Sequence, residues 1–414
     1  MSRPALLLAA TLAVATASPA HAQDVVLMAD RAIDGTGVVT DNPIIRIQGN
    51  RIVEVGQGTQ APSGATVIEL PGHTLLPGLI DAHVHITNGF DTRGERRSVT
   101  ALRGAGTARS LLRTGFTTVR TLGSPDFADV DLRDAIEEGL VQGPRLQVSA
   151  QGMSDGALPG VEGDAVEEGE APATEEAIRA FVRATAAEGV DWLKIFATRS
   201  SRSGGTAVYS QEQLEWAIDE ATRAGIPTSA HAHAADGAAR AIRAGARTIE
   251  HGALLDEETL DLFVETGTYL APNLYLSEYY LENGDRFGYT EEALEWTARL
   301  LPIRTDVFTL AVEKGVPIIF STDANSGWSW SGDTAIEFER RVAAGQSERE
   351  ALISATSRAA EALGVADEVG DLRAGLLADV IAVPGNPLDD ISALRRVAFV
   401  MKDGQVVRAA GEPR

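Results

Sequence analysis

Residues 76–85 read LPGLIDAHVH, and the order of residue types in this stretch decides the architecture. Pro77 and Gly78 interrupt what precedes, and Leu79, Ile80, Ala82 and Val84 then give a short apolar run of buried-strand length. His83 and His85 close it. In an extended chain, residues two apart project to the same face, so both imidazoles can reach one ion while Val84 packs outward. The alternative is a pair of core histidines satisfied by backbone carbonyls.

Working outward, seven further strand candidates follow: TTVRTL (117–122), RLQVSA (145–150), DWLKIFA (191–197), PTSAHA (227–232), TIEHG (248–252), TYLAPNL (268–274) and PIIFSTD (317–323). Helical patterns separate them, among them ATEEAIRAFVRATAAEG, SQEQLEWAIDEATRAG and DEETLDLFVETG, several with a Ser, Thr or Asp start and a Gly stop. Strand–helix alternation implies a parallel sheet with crossover helices. The predicted fold is α/β: a (β/α)8 TIM barrel over residues 73–372. An open doubly wound sheet would usually carry a Gly-rich phosphate turn, which is missing. Two β-rich stretches flank the barrel, 23–72 with a turn at Gly49-Asn50 and 373–414 with a turn at Asp403-Gly404. Neither is long enough to close a core alone, so the two are expected to pair as a small β-sandwich domain.

Residues 1–22 read as a secretory signal, with Arg3, an apolar run from Ala5 to Ala17 and a small-residue cleavage site at Ala20-His21-Ala22. The run is too short to span a bilayer. The expectation is an exported protein, periplasmic or secreted, with no membrane insertion after signal removal. Without the leader the net charge of −23 becomes one unit more negative, which disfavours nucleic acid as a partner; the expected partner is a small-molecule substrate. A homo-oligomer is compatible with the sequence. Cysteine is absent, so a thiolate metal site is excluded and any metal must sit on histidine, carboxylate or a modified side chain.

Of the six histidines beyond residue 22, five stand at the C-terminal ends of predicted strands: His83, His85, His231, His233 and His251. Asp323 closes the eighth strand, and the active sites of TIM barrels lie on this face. Lys194 interrupts the otherwise apolar fourth strand. A buried ammonium is costly unless paired or neutralised. Either the stem crosses the core and the head reaches water or an acid, or carbon dioxide converts the amine to a carbamate, an anionic ligand able to bridge two metals.

LLPGLIDAHVH, VDWLKIFAT, TSAHAH, RTIEHG and FSTDA resemble the signature segments of the amidohydrolase superfamily. More narrowly they are similar to its imidazolonepropionase-like branch, which contains binuclear dipeptidases of the Xaa-Pro dipeptidase kind. With GLLADVIAVPGNPL and VMKDGQVV, the resemblance covers nearly the whole chain beyond the leader. It implies two divalent metal ions, zinc by preference, with His83, His85 and Asp323 on one and His231 and His251 on the other. A carboxylated Lys194 and a hydroxide would bridge them. Spacing does not separate His231 from His233, which face the same way. The family's habit of keeping the first selects His231 and leaves His233 near the substrate. The implied reaction is hydrolysis of an amide bond, in a dipeptide or an N-acyl amino acid, with Asp323 carrying the proton from hydroxide to leaving group. The structural alternative for Asp323 is a helix N-cap.

Arg120, Arg199 and Arg202 follow strands and suit a substrate carboxylate, though each equally suits a solvated surface. Tyr275, Tyr279 and Tyr280, with Trp328 and Trp330, could form an aromatic wall or simply pack; Arg199 and Tyr275 join His233 as the candidate substrate contacts. One stretch departs from the family. Many relatives carry a Gly-Gly-His segment after the third strand, whereas SAQGMSDGALPGVEGDAVEEGE (149–170) has no histidine. The acidic stretch 151–172 reads as a lid or a solvated loop. Three rivals stand beside the amidase. A lactonase or organophosphate ester hydrolase would use the same metals. A mononuclear deaminase would show His-x-x-Glu at the fifth strand, where Ala234 stands. A non-catalytic scaffold would normally have lost ligands.

Overall fold

A computed structural model describes residues 24–58, 60–61, 63–87, 96–158, 173–284, 288–325 and 333–413. The leader, most of the acidic stretch, Trp328 and Trp330 lie outside the described residues.

The two chain ends share one eight-stranded sheet. The strand Val25–Ile33 runs parallel to Thr66–Pro77, which pairs antiparallel with Val380–Pro384 from Val380↔Pro77 to Pro384↔His73. Phe399–Lys402 and Gln405–Arg408 extend one side, and Pro43–Gln48 with Arg51–Gln57 the other. Both hairpins turn where expected. Asp403 (φ 50°) and Gly404 (φ 73°) supply the two positive φ angles of a type I′ connection, which an Asp-Gly pair tolerates. Leu27, Ile45, Leu75, Val380 and Met401 belong to the apolar core of this sheet, and all are buried.

Thr66–Pro77 leads through Gly78 straight into Leu79–His85, so the small sheet hands the chain directly to the strand that carries the first two histidines. A Cβ at Gly78 would collide with the Thr117 side chain, which fixes glycine there. From this point the chain alternates strand and helix in two four-stranded parallel sheets. One orders Ala324–Asn325, Leu79–His85, Phe116–Thr121 and Arg145–Val148; the other orders Tyr269–Ala271, Thr248–Leu254, Thr228–Ala234 and Leu193–Phe196. Isolated bridges lie at their margins, Met153↔Ile195 beyond Arg145–Val148 and Leu270↔Ile318 beside Tyr269–Ala271. The N–H groups of Asp191 and Trp192 also donate to Val148, and that of Ala82 to Phe320.

The helices begin where the sequence places their caps. Thr174 caps Glu175–Ala187, Ser210 and Gln213 form a capping box on Gln211–Arg223, and Asp256 caps Glu257–Thr266, which stops at Gly267 (φ 71°). No described helix is long and apolar enough to cross a membrane.

Three strand expectations are corrected. The segment 317–323 is not a ladder strand: only Ile318 bridges, and Ala324–Asn325 pairs instead with Val84 and His85. The Phe320 N–H donates to Ser354 instead, and Asp323, at φ 55°, ends the segment before Ala324. Arg145–Val148 stops before Ala150, at φ 52°, and Tyr269–Ala271 ends early because Leu274 already has helical angles.

Candidate metal centre

The strand ends deliver two groups of donors. His83 Nε2 lies 3.3 Å from His85 Nε2 and 3.3 Å from Asp323 Oδ1, which is itself 3.0 Å from His85 Nε2. His231, His233 and His251 form the second group, with ring centroids 4.4–4.8 Å apart. Within each group the ligand atoms lie within 4.8 Å of one another. The groups adjoin, since the rings of His83 and His251 are 5.2 Å apart and Asp323 Oδ2 is 3.9 Å from His251 Nδ1.

Two of these residues adopt backbone angles that a non-glycine residue rarely holds. His251 has φ 75° and Asp323 φ 55°, conformations that cost roughly 1–3 kcal/mol and persist only where neighbours enforce them. The enforcement at Asp323 is visible. Its N–H donates to the His83 carbonyl at 2.8 Å, and the preceding Thr322 donates to the Asp81 carboxylate through its hydroxyl (2.6 Å) and N–H (3.2 Å). Burial pushes Asp81 up to about 7 against those hydrogen bonds.

Burial also lowers the imidazoles: His83 to about 4, His233 to about 3, and His231 and His251 well below the ordinary histidine value. These four rings are therefore neutral at pH 7, the state in which imidazole ligates a metal. Burial opposes ionisation of Asp323, but the His83 and His85 rings outweigh it and keep the carboxyl below its usual range. Ring nitrogens and a carboxylate converging this closely call for a cation among them.

Lys194 supplies the second sign of fit. It is 1 % exposed, and its Nζ has no hydrogen-bond partner. Burial pulls the amine down to about 8 although Glu250 and Asp323 act to raise it. It lines the same cavity as the residues of both donor groups. Gly152 packs on its stem, where a Cβ would come within 2.9 Å of Lys194 Cγ. Nitrogen and oxygen donors without thiolate suit zinc and other first-row divalent ions.

Beneath the donors runs a buried polar column. His83 Nδ1 is 2.9 Å from Glu250 Oε2; Arg120, Ser229 and Thr248 all donate to Glu250 Oε1, at 2.9, 2.8 and 2.6 Å. Burial alone would raise Glu250, but the Arg120 guanidinium and His83 override it and hold the carboxyl well below the usual carboxylate range. An ionised Glu250 keeps the His83 proton on Nδ1 and turns the Nε2 lone pair towards Asp323 and His85. Arg120 is therefore no substrate contact. It is fully buried, stacked 4.2 Å from the Trp192 ring and committed to Glu250. The Asn273 side-chain amide faces His251 Nδ1, with Nδ2 at 3.0 Å and Oδ1 at 3.4 Å; turned to present its oxygen, it accepts the Nδ1 proton and leaves Nε2 free.

A cavity of about 320 Å³ opens over the donors, walled by Phe196, Arg202, Tyr280, Trp296 and Arg304, with His233 at its floor. Arg199 and Tyr275 do not line it. The Arg199 N–H closes a turn onto Thr206, and the Tyr275 N–H donates to Glu337. Tyr279 packs in a small apolar cluster with Leu276.

Residues 74–407 match the family model described as "Amidohydrolase family". The chain belongs to the amidohydrolase family. This amidohydrolase is 28 % identical over 446 residues to ochratoxinase of Aspergillus niger, covering 95 % of its own chain and 89 % of that protein. It superposes on the crystal structure of a Xaa-Pro dipeptidase with bound methionine in the active site with a TM-score of 0.82 and 32 % identity, covering 93 % of this chain and 99 % of that one. A prolidase complexed with N-methylphosphonate-L-proline gives a TM-score of 0.83 and 30 % identity, over 94 % and 100 % of the two chains.

Three buried residues of this amidohydrolase's site escape a reading of the sequence alone: Glu250, Asn273 and Arg304. Glu250 adjoins His251, so strand alternation would send the two to opposite faces. The one signal for it is an acid in an otherwise apolar run.

Proposed function

We propose that this amidohydrolase cleaves the amide bond of a dipeptide or an N-acyl amino acid at a binuclear zinc site. His83, His85 and Asp323 would hold one ion and His231 and His251 the other. Once bound, the pair supplies hydroxide at neutral pH and polarises the scissile carbonyl. The observation that carries the reading is the unpartnered Lys194 Nζ amid both donor groups. The free amine is within reach because burial has lowered its proton affinity. The ammonium gives up one proton, the free Nζ bonds the carbon of carbon dioxide and releases a second, and the cation becomes a carbamate anion. At about 4 kcal/mol per unit charge pair near 4 Å, exchanging a positive for a negative charge beside two dications is a large stabilisation.

The remaining residues orient and move protons. Glu250 fixes the His83 tautomer, and Asp81 with Thr322 fixes the backbone that presents Asp323. The Asp323 carboxylate, ionised at neutral pH, accepts the nucleophile's proton and returns it to the departing nitrogen. His233 lines the cavity beside the scissile bond.

The two four-stranded sheets are halves of one (β/α)8 barrel over residues 73–372, a reading supported by the isolated bridges at their margins. The shared sheet of residues 23–72 and 373–414 is a small sandwich-like domain. Residues 1–22 direct export to the periplasm or the medium, and N-terminal sequencing of the processed protein checks that.

The test of the activity is turnover of a dipeptide and N-acyl amino acid library by zinc-loaded enzyme. Hydrolysis of several members is expected. Inertness towards all of them, with turnover of lactones or phosphotriesters, would overturn the amide assignment.

A further inference from the structure

Arg304 is a guanidinium with no described acid to match it. It projects from the helix Glu291–Lys314 into the cavity wall and is 6 % exposed. Nη1 donates to the Asn273 carbonyl at 2.9 Å, and Nε is buried without a partner. It forms no ion pair with a described carboxylate; Asp323 and Glu337 act on it only at longer range. Burial disfavours its charge. A largely buried cation without a matching acid is a standing cost, reduced when an anion docks.

Its position defines the anion. Asn273 links it to the second donor group, because the Asn273 side chain touches His251 Nδ1 at 3.0 Å while its backbone oxygen receives Arg304. In an N-acyl α-amino acid the free carboxylate and the scissile carbonyl are separated only by the amide nitrogen and one Cα. Arg202, the other guanidinium of the cavity wall, lies outward, exposed and stacked 4.5 Å from the Tyr289 ring. We propose that Arg304 anchors the α-carboxylate of the leaving amino acid and restricts the enzyme to amides whose nitrogen-side residue ends in a free carboxylate. The inference rests on the amide-hydrolase reading. Phe196, Tyr280 and Trp296 around the same space favour an apolar or aromatic side chain on that residue.

The experiment uses matched pairs, N-acetyl-L-amino acids and their C-terminal carboxamides, which offer the same scissile bond with and without the carboxylate. The wild-type enzyme should favour the acids by about 100-fold in kcat/KM, the size expected for a buried charge-assisted pair. Arg304→Gln should collapse that ratio to near unity, and Arg304→Lys should restore part of it. Because the ratio is internal to each variant, a general loss of metal or packing lowers both members and leaves it standing. Equal turnover of acids and carboxamides by the wild type, or an unchanged ratio in Arg304→Gln, overturns the anchor while amide hydrolysis survives. Should neither series be cleaved, the amide reading has failed, and calorimetric titration of N-acetyl-L-phenylalanine and its carboxamide decides the anchor alone. Carboxylate-selective binding that disappears in Arg304→Gln sustains it, and equal binding refutes it.

Discussion

The two donor groups of the site are built from the same residue type and differ in charge. His83, His85 and Asp323 include an anion and are backed by a second, Glu250 behind His83, while Asp81 grips the turn before Asp323. His231, His233 and His251 are three imidazoles backed by a neutral amide, Asn273, with the Arg304 cation just beyond it. A dication binds more firmly where fixed negative charge already offsets it. The first group should therefore be the tight site and the second the weaker one. On the proposed reading, Lys194 would decide whether the second fills at all, since a carbamate there would supply the anion that the imidazole group otherwise lacks.

The largest effect should come from removing that link. Lys194→Ala is expected to lower kcat/KM by at least about 1,000-fold, a loss of 4 kcal/mol or more in transition-state stabilisation. Plasma mass spectrometry should find no more than one ion per chain; retention of two would break the comparison. Asp323→Asn keeps an oxygen ligand but removes the proton carrier, so kcat should fall about 100- to 10,000-fold while at least one ion remains. Loss of all metal would instead make Asp323 chiefly a ligand. Glu250→Gln touches no substrate and should weaken metal binding about 10- to 100-fold, at the tight site first. Chelator competition measures this, and preferential loss from the imidazole group would reverse the ranking. His233→Phe separates the alternatives within the second group: two ions retained with raised KM assigns His233 to substrate, one ion lost assigns it to metal.

The smallest effect lies outside both groups. Asp129 is buried, and burial pushes it up to about 6 despite backbone hydrogen bonds from Ala150, Val130 and Ser149. Between pH 4 and 6 the folded state thus binds more protons than the unfolded chain, so its stability falls as pH rises through that window. Asp129→Asn should flatten the slope, worth at most about 3 kcal/mol for a shift of two units. Denaturant titration at pH 4, 5 and 6 reads it, and an unchanged slope contradicts the assignment.

Much of this was legible in the chain before any coordinates. His83, His85, His231, His233 and His251 stand at ends of apolar runs, and Ser, Thr and Asp mark the helix starts, because strand and helix periods are local properties. What stayed hidden depends on departures from those periods. Glu250 and His251 are neighbours that alternation would separate, and a φ of 75° lets both serve one site. Asp323 breaks its own strand in the same way. Arg304 lies on a long helix with Pro302 inside it, where nothing in the pattern distinguishes it from surface arginines until the Asn273 carbonyl is in place. Arg120, which from its strand suits a substrate carboxylate or a solvated surface equally, sits beneath the donors, because sequence gives the face of a residue and not its depth.

Crystals of metal-loaded enzyme, with anomalous maps collected on both sides of the zinc edge, test the central claim most directly. Two peaks are predicted, one bonded to His83, His85 and Asp323 and the other to His231 and His251 at about 2.0–2.2 Å. Density for a carboxyl group should extend from Lys194 Nζ to both. A single peak, or a bare Lys194 amine turned from the donors, would contradict the account.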